Sequence, residues 1–194
     1  MSSALAPGYL IAAPSLKDPN FARAVVLMAE HSETGAVGFI INRPVSLELG
    51  MLLTSVDEDL VDEAERTGCS HQRVMVGGPV RHNVAWVLYR APAEEVLDEG
   101  SIRVGERLVV GASIDVLRAF VRGERPGPFY VLLGYAGWGE AQLEEEIASG
   151  AWLPLELAEE LAFDVPREDC WEEAIRRLGL TPGGFFMTGG GAMA

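Results

Sequence analysis

Positive charge is the first thing this chain lacks. Lys17 is its only lysine, and 15 basic residues stand against 29 acidic ones, for a formal net charge of −14 over 194 residues. Proteins grip a nucleic-acid backbone through Lys and Arg contacts to phosphate, and a strongly anionic molecule repels that backbone. Direct nucleic-acid binding is therefore not expected. The shortage is sharpest from Pro126 to Pro166, a stretch rich in carboxylates and without Lys, Arg or His.

Cysteine is scarce too, with only Cys69 and Cys170. Two cysteines in a chain of this length do not suggest a disulfide scaffold, and a reducing cytoplasm is the expected home. No apolar run reaches the ~18 residues of a membrane span, and no secretory leader pattern opens the sequence. No membrane association is expected. Structural zinc calls for paired Cys or His ligands at short spacing; Cys69, His71 and His82 do not make that pattern. There is no Gly-x-Ser-x-Gly nucleophile elbow and no Walker lysine behind a glycine loop. Neither a metal nor a cofactor is expected.

What is present is apolar and punctuated by glycine. Apolar residues make up 48% of the chain, enough for one sizeable core. The most constrained stretch runs from Phe129 to Leu153. Phe129–Leu133 reads as a strand covered on both faces. Gly134 to Gly139, with Tyr135 and Trp138 among the glycines, reads as a tight loop. A helix follows from Glu140 to Ser149 and stops at Gly150. On it Leu143 and Ile147 face the core, Glu144 and Glu146 border the buried stripe, and Glu145 points away.

Elsewhere, short strands are predicted at Gly8–Ala13, Ala24–Glu30, Val37–Ile41, Val74–Val76, Val84–Tyr89, Ile102–Val104 and Leu108–Val110. Asn42-Arg43-Pro44 is expected to close the third of these. Ser46 is expected to cap a short helix carrying Leu47, Leu49, Leu52 and Leu53, and Ser113 to cap another that ends at Gly123. Asp57–Arg66 is expected to be a solvated helix or loop. Trp152–Phe163 is expected to be extended. Pro166 is expected to start a helix whose Trp171, Ala174, Ile175 and Leu178 form one stripe. Strands cluster and helices scatter, without βαβ alternation. This argues for an α+β class: a single domain with a mixed, largely antiparallel, partly barrel-like sheet. The domain is placed at residues 1–180, with a loose start to Ala6 and a mobile Gly-rich tail over 181–194.

Several segments together resemble the AlgH (YqgE-like) family. They are Pro14 with Asp18-Pro-Asn-Phe21-x-Arg23; Glu30-His31 with Gly35-Ala-Val-Gly38; Asn42-Arg-Pro44; Gly77-Gly-Pro79; Leu133-Gly-Tyr-Ala-Gly-Trp138; Gln142-Leu-Glu144; and Ala151-Trp-Leu153. The resemblance runs from Gly8 to Gly179 and rests on the order and spacing of these motifs. It implies a bent sheet closing toward a small barrel with helices around it, and a role in regulating transcription of exopolysaccharide genes. It implies no reaction, cofactor or catalytic residue. With this net charge and no helix-turn-helix pair, a regulatory role is expected to run indirectly, through a protein partner.

The candidate site is a binding pocket formed where three turns converge. It takes in His31, Asn42, Arg43, Gly77, Gly78, Tyr135, Trp138 and Glu144. Arg43 is expected to hold an anion while Tyr135 and Trp138 supply apolar walls; the plainer alternative pairs Arg43 with Glu144 or another acid and leaves the glycines to make turns. The expected occupant is a small molecule or a protein partner. The chain is read as a non-enzymatic binding protein; the alternative is an enzyme acting on a small molecule, with His31, Asn42 and Arg43 near its site.

Overall fold

Residues 5–181 are described in the computed structural model. Among them, in chain order, lie β1 (Gly8–Ala12), β2 (Val25–Ser32), β3 (Gly35–Ile40), β4 (Pro44–Glu48), α1 (Leu49–Val56) and α2 (Leu60–Thr67). Then come β5 (Arg73–Val76), β6 (Val80–Arg90), β7 (Ser101–Val104), β8 (Leu108–Gly111) and α3 (Ile114–Val121). The last are β9 (Phe129–Trp138), α4 (Gln142–Ala148), β10 (Trp152–Glu156), α5 (Glu160–Phe163) and α6 (Cys170–Arg177). The tail proposed at 181–194 lies outside the described residues beyond Thr181. At the other end, Leu5 and Ala6 pack on the core, so that part of the start is not loose.

The α+β class with a mixed, largely antiparallel sheet is what the structure has. The strands run β10-β1-β2-β3-β9-β6-β8-β7, while β4 pairs with β5 and β5 lies parallel to β9. The sheet curls so that β7 returns to the neighbourhood of β2, yet the two are not hydrogen-bonded. It is bent toward a barrel and left open along one seam.

Side chains alternate between the faces of a strand, and this sorts the core. Tyr9 and Ile11 point into the curl with Leu27, Phe39 and Leu132, where α5 and α6 plug it. Leu10 and Ala12 point outward into a second cluster with Trp138, Trp152 and Leu143 of α4. A third cluster lies between the β6–β8–β9 part of the sheet and α1, α2 and α3. Trp171 anchors the α6 plug by donating its indole N–H to the carbonyl of Ala12 at 2.8 Å.

The α3 cap is the expected one. Ser113 Oγ accepts from the Val116 amide at 3.3 Å and itself donates to Asp98 at 3.0 Å. The helix buries Val116, Leu117, Phe120 and Val121, each worth roughly 1.5–3 kcal/mol against exposure. Ser113→Ala is expected to lower stability by about 1 kcal/mol, read as a reduced urea midpoint with unchanged slope.

Four expectations need correction. The glycine-rich Gly134–Trp138 segment is not a loop; β9 runs through it. Its first part pairs with β6, and Ala36 to Gly38 of β3 pair with Ala136 to Trp138. The glycines serve a backbone crossing described below. Ser46 does not cap a helix; it sits inside β4, and α1 starts at Leu49, whose amide bonds Gln72. Tertiary pairing with β5 outweighed the local capping preference. Trp152–Phe163 is extended only to Glu156 and then turns into α5. The last helix starts at Cys170, not Pro166, because buried Arg167 spends its guanidinium on the carbonyls of Ile41, Leu161 and Val165 and holds a turn there.

Candidate functional site

β2 is paired with β1 only from Val25 to Met28. Its register with β3 shifts between Met28 and Glu30, so Ala29 bulges without a cross-strand partner. Beyond the bulge, Ala29–Ser32 face the open seam. Across it stand Arg103 of β7 and Gly105 of the β7–β8 turn. Ala6 and Pro7 form a third side, and Thr34–Val37 with Trp138 complete the wall. The resulting cleft measures about 580 Å³.

His31 is the most constrained polar residue in this wall. Its side chain is only 8% exposed. Nδ1 accepts from the Leu5 amide at 3.2 Å, and Nε2 lies 2.8 Å from Glu144 Oε1. A backbone N–H can only donate, so the ring is held as the Nε2–H tautomer, donating to the carboxylate. Both nitrogens are engaged, and neither offers a free lone pair to a substrate. The bond from His31, helped by a backbone hydrogen bond, holds the Glu144 carboxyl below its ordinary range. The linkage follows from that sign: the contribution is complete above the ordinary carboxylate pKa and disappears as pH falls through the lowered one.

Trp138 packs edge-on against Trp152 and donates to Glu146 Oε2 at 2.9 Å. Trp152 donates to the same oxygen at 2.8 Å. Gln142 supports the other oxygen at 2.9 Å. One carboxylate thus satisfies two buried indoles and locks α4 to the sheet behind the cleft.

The eight candidate residues divide into three groups. His31 and Trp138 line the cleft, and Glu144 holds His31 from behind. Asn42 and Arg43 instead pin the 18–25 loop. Asn42 accepts from the Val25 amide at 2.9 Å and donates to the Arg23 carbonyl at 2.9 Å. Arg43 donates to the carbonyls of Pro19 at 2.9 Å and Ala22 at 2.8 Å, and also to Asn20. It does not pair with Glu144: its guanidinium is bonded to backbone oxygens. Burial pushes its pKa down, against a raising influence from Asp18.

Gly77 and Gly78 form the third group with Tyr135. A Cβ on Gly78 would overlap the Tyr135 carbonyl and the Ala136 amide nitrogen. Gly134, at φ +72°, has the carbonyls of Gly78 and Val80 2.6 Å from where its own Cβ would be. Two backbones cross here with no room for side chains. Tyr135 and Trp138 are three apart in one strand and face opposite ways; Tyr135 meets Trp86 at 6.4 Å between ring centroids. They do not wall one pocket. Arg103, Gly105 and Ala29 carry no local sequence signal, because only the curl of the sheet brings them to the cleft.

Cys69, His71 and His82 join no group of three metal-ligating side chains among the described residues. Cys170 is fully buried, and burial pushes its thiol pKa up. Cys69 is half-buried. A thiol titration with a chromogenic disulfide is expected to count one reactive cysteine in the native protein and two in guanidinium. Two fast native thiols would contradict the packing of α6. None of the helices among the described residues is long and apolar enough to cross a membrane.

Comparison with known proteins agrees with this architecture. A family model described as AlgH-like matches residues 9–183. A UPF0301 protein of Anaeromyxobacter sp. strain Fw109-5 is 53% identical over 193 residues, which is 99% of this chain and 97% of that protein. The solution structure of the AlgH protein from Pseudomonas aeruginosa superimposes with a TM-score of 0.77 at 34% identity, covering 99% of this chain and 98% of that one. A crystal structure of a Corynebacterium diphtheriae protein gives a TM-score of 0.67 at 25% identity, over 89% of this chain and 86% of that one.

Proposed function

The chain belongs to the AlgH-like family, and we propose that it works as a non-enzymatic binding protein that receives a partner in the cleft between β2 and β7. One observation carries the proposal. The two ring side chains of the cleft wall are already engaged behind the surface, His31 by Leu5 and Glu144, Trp138 by Glu146. Such a wall keeps its shape without a ligand and meets one at little reorganisation cost. Any effect on transcription is then indirect and passes through that partner, since a net charge of −14 opposes a grip on DNA.

The enzymatic alternative needs His31 to release Leu5 before it can act as a base, and the cleft hydroxyls of Ser32 and Thr34 are bonded to each other at 2.9 Å, not to His31. The test uses a genetically encoded photo-crosslinker. Placed at Ser32 in the cleft, it is expected to give discrete adducts in cells. Placed at Met51, which is 61% exposed on the α1 face, it is expected to give none. Adducts at Met51 and none at Ser32 would sink the proposal and move the working surface to the helical face.

A further inference from the structure

Pro7 has no amide hydrogen, and β1 ends its ladder with β2 at the pair Gly8–Met28. Before it, Ala6 and Pro7 line the cleft, and the Leu5 amide goes to the His31 ring instead of to a β2 carbonyl. Glu30–Ser32 therefore keep their β3 partners on one side, Ala29 bulges between the paired residues, and none of the four has a strand on the other side. Ile102–Val104 of β7 are likewise paired with β8 alone. Among the described residues, neither segment makes a backbone hydrogen bond outside those ladders. Two strand edges thus face one another across the cleft. A row of unpaired N–H and C=O groups is a template for another strand.

We infer that the cleft takes an extended, basic peptide segment of a partner protein as an added strand along Ala29–Ser32 of β2. This rests on the cleft being the binding site. The preference for a basic segment comes from charge. Glu30 is exposed on the cleft and has no ion-pair partner among the described residues. Glu144 lies just behind, 47% exposed, already accepting from His31. Among the described residues Arg103 is the one Lys or Arg in the lining, and its guanidinium is occupied by the carbonyls of Glu95 at 2.9 Å and Glu106 at 3.0 Å. A Lys or Arg on the incoming strand meets Glu30 directly, and the net charge of −14 steers it there. Main-chain bonds supply the affinity and alternate side chains the selectivity, as in other strand additions.

The test selects binders from a random eight-residue peptide library displayed on phage, using the full chain as bait. Selected peptides are expected to alternate β-branched residues with Lys or Arg. Methylating alternate backbone amides in the synthetic peptide is expected to weaken binding at least tenfold, because it blocks main-chain bonds without touching the protein. Glu30→Lys is expected to weaken the basic peptides at least tenfold, while Glu30→Gln gives a smaller loss and controls for folding. Amide chemical-shift changes are expected at 29–32. Cleft binders indifferent to amide methylation would overturn strand addition and leave the binding role standing. Selection yielding no clone sensitive to Glu30→Lys, with shifts elsewhere, would overturn both. A concentration-dependent dimer with its shifts at 29–32 would overturn the partner segment in favour of a second copy of this chain.

Discussion

Gly78→Ala is expected to yield little or no soluble folded protein. The added methyl would occupy the space of the Tyr135 carbonyl group and the Ala136 amide nitrogen, and neither belongs to a side chain that could swing aside. Relief requires β9 to move away from the β5–β6 connection. β9 pairs with β3, β5 and β6, so its displacement disturbs the centre of the sheet. The expected cost exceeds about 4 kcal/mol, the range reserved for substitutions that break a core geometry. Gly150→Ala is the control. Gly150 also has a positive φ, +79°, but nothing lies within 4 Å of its would-be Cβ. Only the left-handed backbone is penalised there, by about 1 kcal/mol. Soluble yield and circular dichroism of the two variants separate the cases. Equal behaviour would mean that the crossing is not as tight as described.

Glu146→Ala is expected to be the most destabilising carboxylate substitution in α4. It removes the acceptor shared by the indoles of Trp138 and Trp152, which are 6% and 2% exposed. Each buried donor left without a partner costs about 1–3 kcal/mol, so the pair amounts to about 2–6 kcal/mol. For a domain of this size that is a fall in Tm of roughly 4–24 °C. Glu146→Gln keeps a neutral acceptor and is expected to lose about 1 kcal/mol, the difference between a charge-assisted and an ordinary hydrogen bond. Glu145→Ala, one residue away and exposed, is expected to stay within about 0.5 kcal/mol of the parent. Scanning calorimetry gives the order, and near-ultraviolet circular dichroism reports the tryptophans directly. Equal melting temperatures for Glu145→Ala and Glu146→Ala would remove the shared acceptor from the account.

The helix wheel already separated these two glutamates, since it put Glu144 and Glu146 beside the buried stripe and Glu145 outside it. It could not name their partners. His31 is 113 residues from Glu144, and no local spacing links them. The same holds for Arg43. Its turn-forming neighbourhood was legible, but the carbonyls it binds lie on a separate loop more than twenty residues away. Arg43 is a structural clamp on that loop and not the free charge an anion would need. Tyr135 and Trp138 can be two walls of one pocket only if their segment is a loop. Once the segment is a strand, a separation of three sends them to opposite faces.

What the amino-acid sequence determined by itself was local or global in character. Family membership followed from ordered motifs, and the Ser113 cap and the buried faces of α3 and α6 from periodicity. Only the tertiary structure decided which strands meet, why Gly78 and Gly134 are glycine, and where a cleft opens. The reason is physical. A glycine needed for a turn and one needed for the close passage of two backbones leave the same letter, and an unpaired strand edge is defined by neighbours that arrive from distant parts of the chain.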